Sequence, residues 1–218
     1  MEFTAIITAA GSGTRMGLEF NKIFLKINGK RVIDYSIEFF ENYPFCKEIV
    51  LVSSDADFNF MYDQYHHRVT SIVVGGRTRQ ESVFKALNKA KYEYVLIHDA
   101  ARPYISSVKI DHLVKDMVTT SASTLAVSVV DTIVKTSGNR LNKTLDRNEL
   151  VAIQTPQAFF KDLLLDAHRK ARNSRYQATD DTDLIRRFTT VMPSYVEGDY
   201  RSIKLTTKED IPLLEVIL

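Results

Sequence analysis

Cysteine is almost absent from this chain of 218 residues: Cys46 stands alone, so no internal disulfide and no cysteine-rich metal site can form. A reducing compartment, the cytoplasm, is the expected setting. Long apolar runs are missing too. Ser123–Val130 is among the longest uncharged stretches, far short of the ~20 residues that span a bilayer. Met1-Glu2-Phe3-Thr4 has no basic leader character, so neither a signal peptide nor a membrane partner is expected. Charge of one sign is scarce. The chain carries 29 basic and 27 acidic residues, a net +2, which is too weak a bias to indicate a nucleic-acid partner. Repeats, low-complexity tracts and Pro/Gly/Ser linkers are also lacking, and a single domain over residues 1–218 is the expectation.

What remains is an ordinary globular composition, 44% hydrophobic and 26% charged. The first half alternates short apolar strands with amphipathic helices. Phe3–Thr8, Glu48–Ser53, Ser71–Val74, Tyr94–Ile97 and Thr124–Val130 read as strands. Arg31–Tyr43, Gln80–Ala90 and Ser107–Thr119 read as helices, the last with Ile110, Leu113, Val114 and Met117 on one face. This alternation predicts an α/β fold: a Rossmann-like, mainly parallel sheet flanked by helices. The second half differs. Thr132–Lys135 and Leu141–Leu145 flank a polar turn and predict a protruding β-hairpin arm, at about 132–146, that packs on a second subunit. Helices are expected at Lys161–Arg172 and Asp181–Phe188, and a strand at Ser194–Glu197. A capping box at Thr206–Glu209 is expected to open a last helix with Ile211, Leu214 and Leu218 inward.

Of only eight glycines, three crowd the segment after the first strand, at Gly11, Gly13 and Gly17. Ligands of open α/β sheets bind beyond the carboxyl ends of the strands, and glycines there let backbone N–H groups approach an anion. No Gly-x4-Gly-Lys-Ser/Thr loop is present, and Met16 fills the third glycine place of a dinucleotide fingerprint. Gly-x-Gly alone is also a common tight strand-to-helix turn. Arg15 inside the loop and Lys22 just beyond it make a polyphosphate site the sharper reading, because fixed N–H groups beside two cations suit a group that gains charge during transfer.

The pattern Gly11-x-Gly13-x-Arg15-Met16-Gly17 followed by Lys22 resembles the signature of the sugar-nucleotide-type nucleotidyltransferases. Further motifs occur in order: Gly75-Gly76-Arg77-Thr78-Arg79-Gln80-Glu81-Ser82, His98-Asp99-Ala100-Ala101-Arg102-Pro103, Val130-Asp131-Thr132, Asp146-Arg147-Asn148, Gln154-Thr155-Pro156-Gln157, Thr179-Asp180-Asp181 and Ile203-Lys204-Leu205-Thr206. Together they resemble the 2-C-methyl-D-erythritol 4-phosphate cytidylyltransferase family over residue 3 to the C-terminus. The resemblance implies CMP transfer from CTP to a sugar-alcohol phosphate, with Mg²⁺ as cofactor and Asp99 as its ligand. It implies catalytic roles for Arg15, Lys22 and Lys204. Nucleotide binding falls to Ala9, Ala10, Gly11, Ser12, Gly13, Gly76, Arg79, Ser82 and Asp99, with Arg79 ordering the base loop. The acceptor is held by Arg102, Thr132, Arg147, Thr155 and Thr179. A homodimer exchanging the arm, and so sharing its active sites, is implied as well.

Two positions depart from the pattern: Arg77 stands where many relatives carry an acid, and Asn21 where many carry proline. The second is expected to leave the loop less rigid. A ribitol-5-phosphate cytidylyltransferase shares most of the motifs, but Ala9-Ala10-Gly11, His98–Pro103 and Thr179-Asp180-Asp181 favour methylerythritol phosphate. A non-catalytic nucleotide-binding module predicts loss of one or more cations. Yet Arg15, Lys22, Arg102, Arg147 and Lys204 are all present. An NAD-dependent oxidoreductase is disfavoured by the failed fingerprint.

Overall fold

The computed structural model describes residues 1–11, 16–17 and 20–218. The expected sites Ser12, Gly13 and Arg15 lie outside the described residues. The strands in chain order are β1 (Phe3–Thr8), β2 (Lys26–Ile27), β3 (Lys30–Arg31), β4 (Cys46–Ser53), β5 (Ser71–Val74), β6 (Tyr94–Asp99), β7 (Ala122–Ser128), β8 (Val134–Ser137), β9 (Arg140–Thr144), β10 (Val151–Phe160) and β11 (Ser194–Glu197). The helices are α1 (Val32–Asn42), α2 (Phe58–Tyr65), α3 (Arg79–Leu87), α4 (Ser107–Thr120), α5 (Lys161–Asn173), α6 (Asp181–Phe188) and α7 (Asp210–Ile217).

Among the described residues, seven strands form one sheet in the order β11-β7-β10-β6-β1-β4-β5. Strands β5, β4, β1 and β6 are mutually parallel, as is the β7–β11 pair, and β10 runs antiparallel to both its neighbours. Strand alternation sorts the core into two layers. Phe3, Ala5 and Ile7 of β1 pack with Ile33, Ile37 and Phe40 of α1 and Ile110, Leu113 and Met117 of α4. Ile6 points the other way, into Val83 and Leu87 of α3, Leu164 and Ala167 of α5, and Leu184 and Ile185 of α6. Helices therefore cover both faces, and the chain order reverses between β1 and β6, where the ends of parallel strands open a crevice.

Besides the short β2–β3 pair, three elements differ from the sequence expectation. Strand β10 is not among the expected strands, and it carries Pro156, which has no N–H to give to a ladder. The ladder accommodates it with a register shift between Ile153 and Gln157. Helix α2 was also unexpected: only Met61 and Tyr65 of it are buried, too few to show a period. Helix α7 starts later than the expected capping box. The Asp210 carboxylate, not Glu209, accepts the Thr206 and Thr207 N–H groups, at 2.7 and 2.8 Å. A start at Asp210 keeps Pro212 in the first turn, where its missing N–H costs nothing. The expected arm is present. Strands β8 and β9 form a separate two-stranded sheet around Gly138, whose φ of 56° suits the tight turn. Every residue of β9 is exposed.

At the end of the sheet remote from the crevice, Glu48 is buried and takes two donors on one oxygen. These are the Thr4 hydroxyl at 2.6 Å and the Lys91 N–H at 2.7 Å. Glu48→Leu strands both donors and is expected to cost about 2–3 kcal/mol of unfolding free energy in a urea titration, with Glu48→Gln costing less. Equal stability of Glu48→Leu and the parent chain contradicts that role.

Candidate active site

The crevice at the carboxyl ends of β1 and β6 holds a cavity of about 480 Å³. Nine of the expected residues line it: Ala9, Ala10, Gly11, Lys22, Gly76, Arg79, Ser82, Asp99 and Lys204. Each arrives for a local reason. Ala9, Ala10 and Gly11 are the run-out of β1, with the Ala9 N–H still bonded to the Val52 carbonyl at 2.9 Å. Lys22 opens a single 3-10 turn, Lys22–Phe24, and is buried. Gly76 lies in the β5–α3 loop. Its N–H donates to Ser82 Oγ at 3.0 Å, and the Ser82 hydroxyl donates back to the Thr78 carbonyl at 2.9 Å. A Cβ at Gly76 would sit 2.3 Å from Glu81 Cβ, so only glycine fits there. Thr78 caps α3 by accepting from the Glu81 N–H at 3.1 Å.

Asp99, the last residue of β6, is the hub. Its Oδ1 accepts from Arg79 Nε at 3.2 Å and the Thr8 hydroxyl at 3.1 Å, and its Oδ2 accepts from Lys204 Nζ at 2.6 Å. Burial by itself would raise the Asp99 pKa. The Arg79 and Lys204 charges outweigh it and hold the carboxyl well below the usual carboxylate range. Arg79 is in turn gripped from behind. Its Nη1 donates at 2.6 Å to Asp181, a wholly buried carboxylate with His168 Nε2 3.6 Å from its other oxygen. Burial of Arg79 is outweighed by Asp181 and Asp99, which push its pKa up. The Arg79 guanidinium thus faces the two carboxylates, while Thr78 and Ser82 make the hydrogen bonds within the loop that leads into α3.

His98 is no metal ligand. Its Nε2 faces the Arg102 carbonyl at 3.0 Å and therefore carries the proton, which leaves Nδ1 to accept from the Thr155 hydroxyl at 3.1 Å. Thr155 Oγ1 accepts in turn from the Asp99 N–H at 3.1 Å. A buried relay thus ties the Asp99 backbone to β10. Full burial pushes the His98 pKa down to about 4.

The other expected residues among those described, Arg102, Thr132, Arg147, Thr155 and Thr179, are not part of the cavity lining. Arg102 Nη1 donates to the Ser202 carbonyl at 2.5 Å, and its buried Nε has no partner among the described residues. Thr155 is buried with its hydroxyl engaged as above. Thr179 is exposed ahead of α6, while Thr132 and Arg147 are exposed at the base of the arm, where Arg147 Nη1 donates to the Val130 carbonyl at 3.0 Å. Sequence reasoning missed Asp181 and His168. It also left Arg77 out, although Arg77 lines the same cavity with its side chain 93% exposed and 3.7 Å from Glu81. The buried pair carried a signal only in part: Asp181 belongs to a quoted motif, but nothing in the sequence joins it to Arg79.

Among the described residues no cluster of three or more His, Cys, Asp or Glu side chains could cage a metal ion. The donor set still fits Mg²⁺, which is commonly held by one or two carboxylates together with substrate phosphates. Asp99 supplies one ionised carboxylate in the cavity.

His98 generates a pH prediction. Its folded pKa lies below the unfolded value near 6.5, so the unfolded chain binds more protons between about pH 4 and 6.5, and stability falls as pH drops through that window. From pH 7 to pH 5 the His98 contribution is expected to fall by about 2 kcal/mol. Urea titrations at both pH values should show that step in the parent chain and not in His98→Gln. An equal step in both contradicts the assignment.

The comparisons with known proteins agree with this geometry. The sequence model of the IspD family, 2-C-methyl-D-erythritol 4-phosphate cytidylyltransferase, matches residues 3–218. A Bacillus velezensis protein of that name is 40% identical, over 100% of this chain and 96% of its own. A Clostridium novyi protein of the same name is 41% identical, over 98% of this chain and 95% of its own. The crystal structure of the Francisella tularensis enzyme of that name superposes with a TM-score of 0.85 at 30% identity, covering 100% of both chains. No helix among the described residues is long and apolar enough to cross a membrane. With a family match from residue 3 to the last and a catalytic-type crevice at the expected strand ends, this chain belongs to the 2-C-methyl-D-erythritol 4-phosphate cytidylyltransferase family.

Proposed function

We propose that the chain transfers the cytidylyl group of CTP to 2-C-methyl-D-erythritol 4-phosphate, releasing pyrophosphate and giving 4-diphosphocytidyl-2-C-methyl-D-erythritol for isoprenoid synthesis. The observation that carries the reading is one cleft, in a chain of this family, that joins the end of β1, Lys22, Lys204 and an ionised Asp99. An oxygen of the acceptor phosphate attacks the α-phosphorus. The bond from that phosphorus to the bridging oxygen breaks, and pyrophosphate leaves with the electron pair. A phosphate monoester is already anionic at neutral pH, so no general base is required. The difficulty is bringing two polyanions together and stabilising the added charge, which is the work of positioned cations.

Lys22 and Lys204 are assigned to the α-phosphate and leaving group, and Arg15 is assigned beside them on the motif alone. The backbone of Ala9, Ala10 and Gly76, with Ser82, is assigned to the cytosine edge, where a wrong base leaves buried groups unpaired. Ser12 and Gly13 are assigned to the phosphates with Gly11, again on the motif. Arg102, Arg147, Thr132 and Thr179 are assigned to the acceptor. Thr155, its hydroxyl already shared between Asp99 and His98, is assigned to holding Asp99 in place. An arriving triphosphate offers Lys204 a second anion, which frees an Asp99 oxygen. Asp99 would then hold Mg²⁺, which supplies neutralising charge to the triphosphate when bound.

The exposed arm, with Leu141 and Val130 open to solvent, supports a homodimer in which Thr132 and Arg147 reach the partner's acceptor site. The single cysteine supports a cytoplasmic setting. Pyrophosphate release from CTP, UTP, ATP and GTP, each with methylerythritol phosphate, ribitol 5-phosphate or no acceptor, tests the proposal. Release is expected with CTP and methylerythritol phosphate together. Preference for ribitol 5-phosphate contradicts the acceptor assignment, and indifference to the nucleotide contradicts the base site.

A further inference from the structure

Asn21 stands immediately before Lys22 and is itself buried. All the hydrogen-bonding capacity of its amide nitrogen is used: Nδ2 donates to the Ala9 carbonyl at 3.0 Å and to Asp57 Oδ2 at 3.0 Å. Its Oδ1 accepts from the Ile23 N–H at 3.4 Å, capping the 3-10 turn that begins at Lys22. The far partner is also braced, since Asp57 Oδ2 accepts from the Ser54 hydroxyl at 2.7 Å. One side chain thus ties the Lys22 turn to the run-out of β1 and to the turn between β4 and α2. Both anchoring segments grow directly out of core strands, so the tie runs to rigid structure.

The chemistry of the three partners is selective. Ala9 O and Asp57 Oδ2 demand donors, and the Ile23 N–H demands an acceptor. Aspartate at this position would set a carboxylate against a carbonyl and a second carboxylate. Alanine would leave the Ala9 carbonyl, the Ile23 N–H and the Asp57 carboxylate each short of a partner. The absence of proline here gives the expectation of a looser loop. The amide contacts make up for it: Asn21 already holds a φ of −65°, the angle a proline ring would impose.

We propose that Asn21 is a positioning residue for Lys22: its amide holds the turn so that the Lys22 ammonium stays in the nucleotide cleft. The inference rests on the reading of Lys22 as a group that touches the reacting phosphates. A small displacement of such a group is costly to rate, because productive geometry is confined to a narrow range.

The test is a double-mutant cycle on the purified full chain, read by steady-state pyrophosphate release with CTP, Mg²⁺ and methylerythritol phosphate. Asn21→Ala is expected to lower kcat about tenfold, with the KM for CTP changed less than about twofold. In the Lys22→Ala background the same change is expected to alter kcat less than about twofold, because there is no longer an ammonium to position. A merely structural role would give the same factor on both backgrounds, and that result overturns the inference, as does an unaltered kcat in Asn21→Ala. If Asn21→Ala does not fold, Asn21→Ser, which keeps a cap acceptor and one donor, is put through the same cycle and judged by the same two outcomes. The reading of Lys22 itself fails separately, through near-normal turnover of Lys22→Ala alone.

Discussion

The Asp99 carboxylate, pinned between the Arg79 guanidinium and the Lys204 ammonium, is the interaction on which the cleft depends. Removing an ionised carboxylate from water is expensive unless it is paired and hydrogen-bonded. Here it is both, and each partner comes from a different part of the chain. Arg79 begins α3, Lys204 follows β11, Thr8 ends β1, and Thr155 holds the Asp99 backbone from β10. The buried charge therefore draws three segments to one point, and the backbone of the same residue ties in a fourth. The same arrangement supplies cations to a cleft where two anions must meet.

The buried Asp181 behind Arg79 makes the arrangement asymmetric. Arg79 is shared between two carboxylates, one of them sealed in the core, so its position is set from the protein side. Among the described residues Lys204 has no such second hold. Its side chain is 39% exposed, and Asp99 is its recorded ion-pair partner among the described residues. The lysine is then the singly held partner and the arginine the doubly held one. A carboxylate with one fixed and one exchangeable cation is suited to a site that must trade partners when a polyphosphate enters.

The layered fold was legible in the sequence because strand and helix periods alternate cleanly up to residue 128. Phe3–Thr8, Asp181–Phe188 and Ser194–Glu197 match their expected bounds. What failed to read were elements whose stability is tertiary. Strand β10 carries a proline and is held by neighbours on both sides, information that no local pattern contains. The α7 start depends on where Pro212 can be tolerated. Within the site, nine residues of the cleft lining are those that the family resemblance implies, several of them on loops that leave strand ends. The buried Asp181–Arg79 contact spans 102 positions and joins two motifs read separately. Asn21 read as a loss of rigidity, because a proline's restraint is visible in sequence while three side-chain hydrogen bonds are not.

A crystal structure of the full chain with CTP and Mg²⁺ tests the central claim most directly. The account predicts the triphosphate across the ends of β1 and β6, Arg79 still on Asp181, and Lys204 drawn off Asp99 toward phosphate. Nucleotide bound elsewhere, or bound in the cleft with the Asp99–Lys204 pair intact, would contradict it.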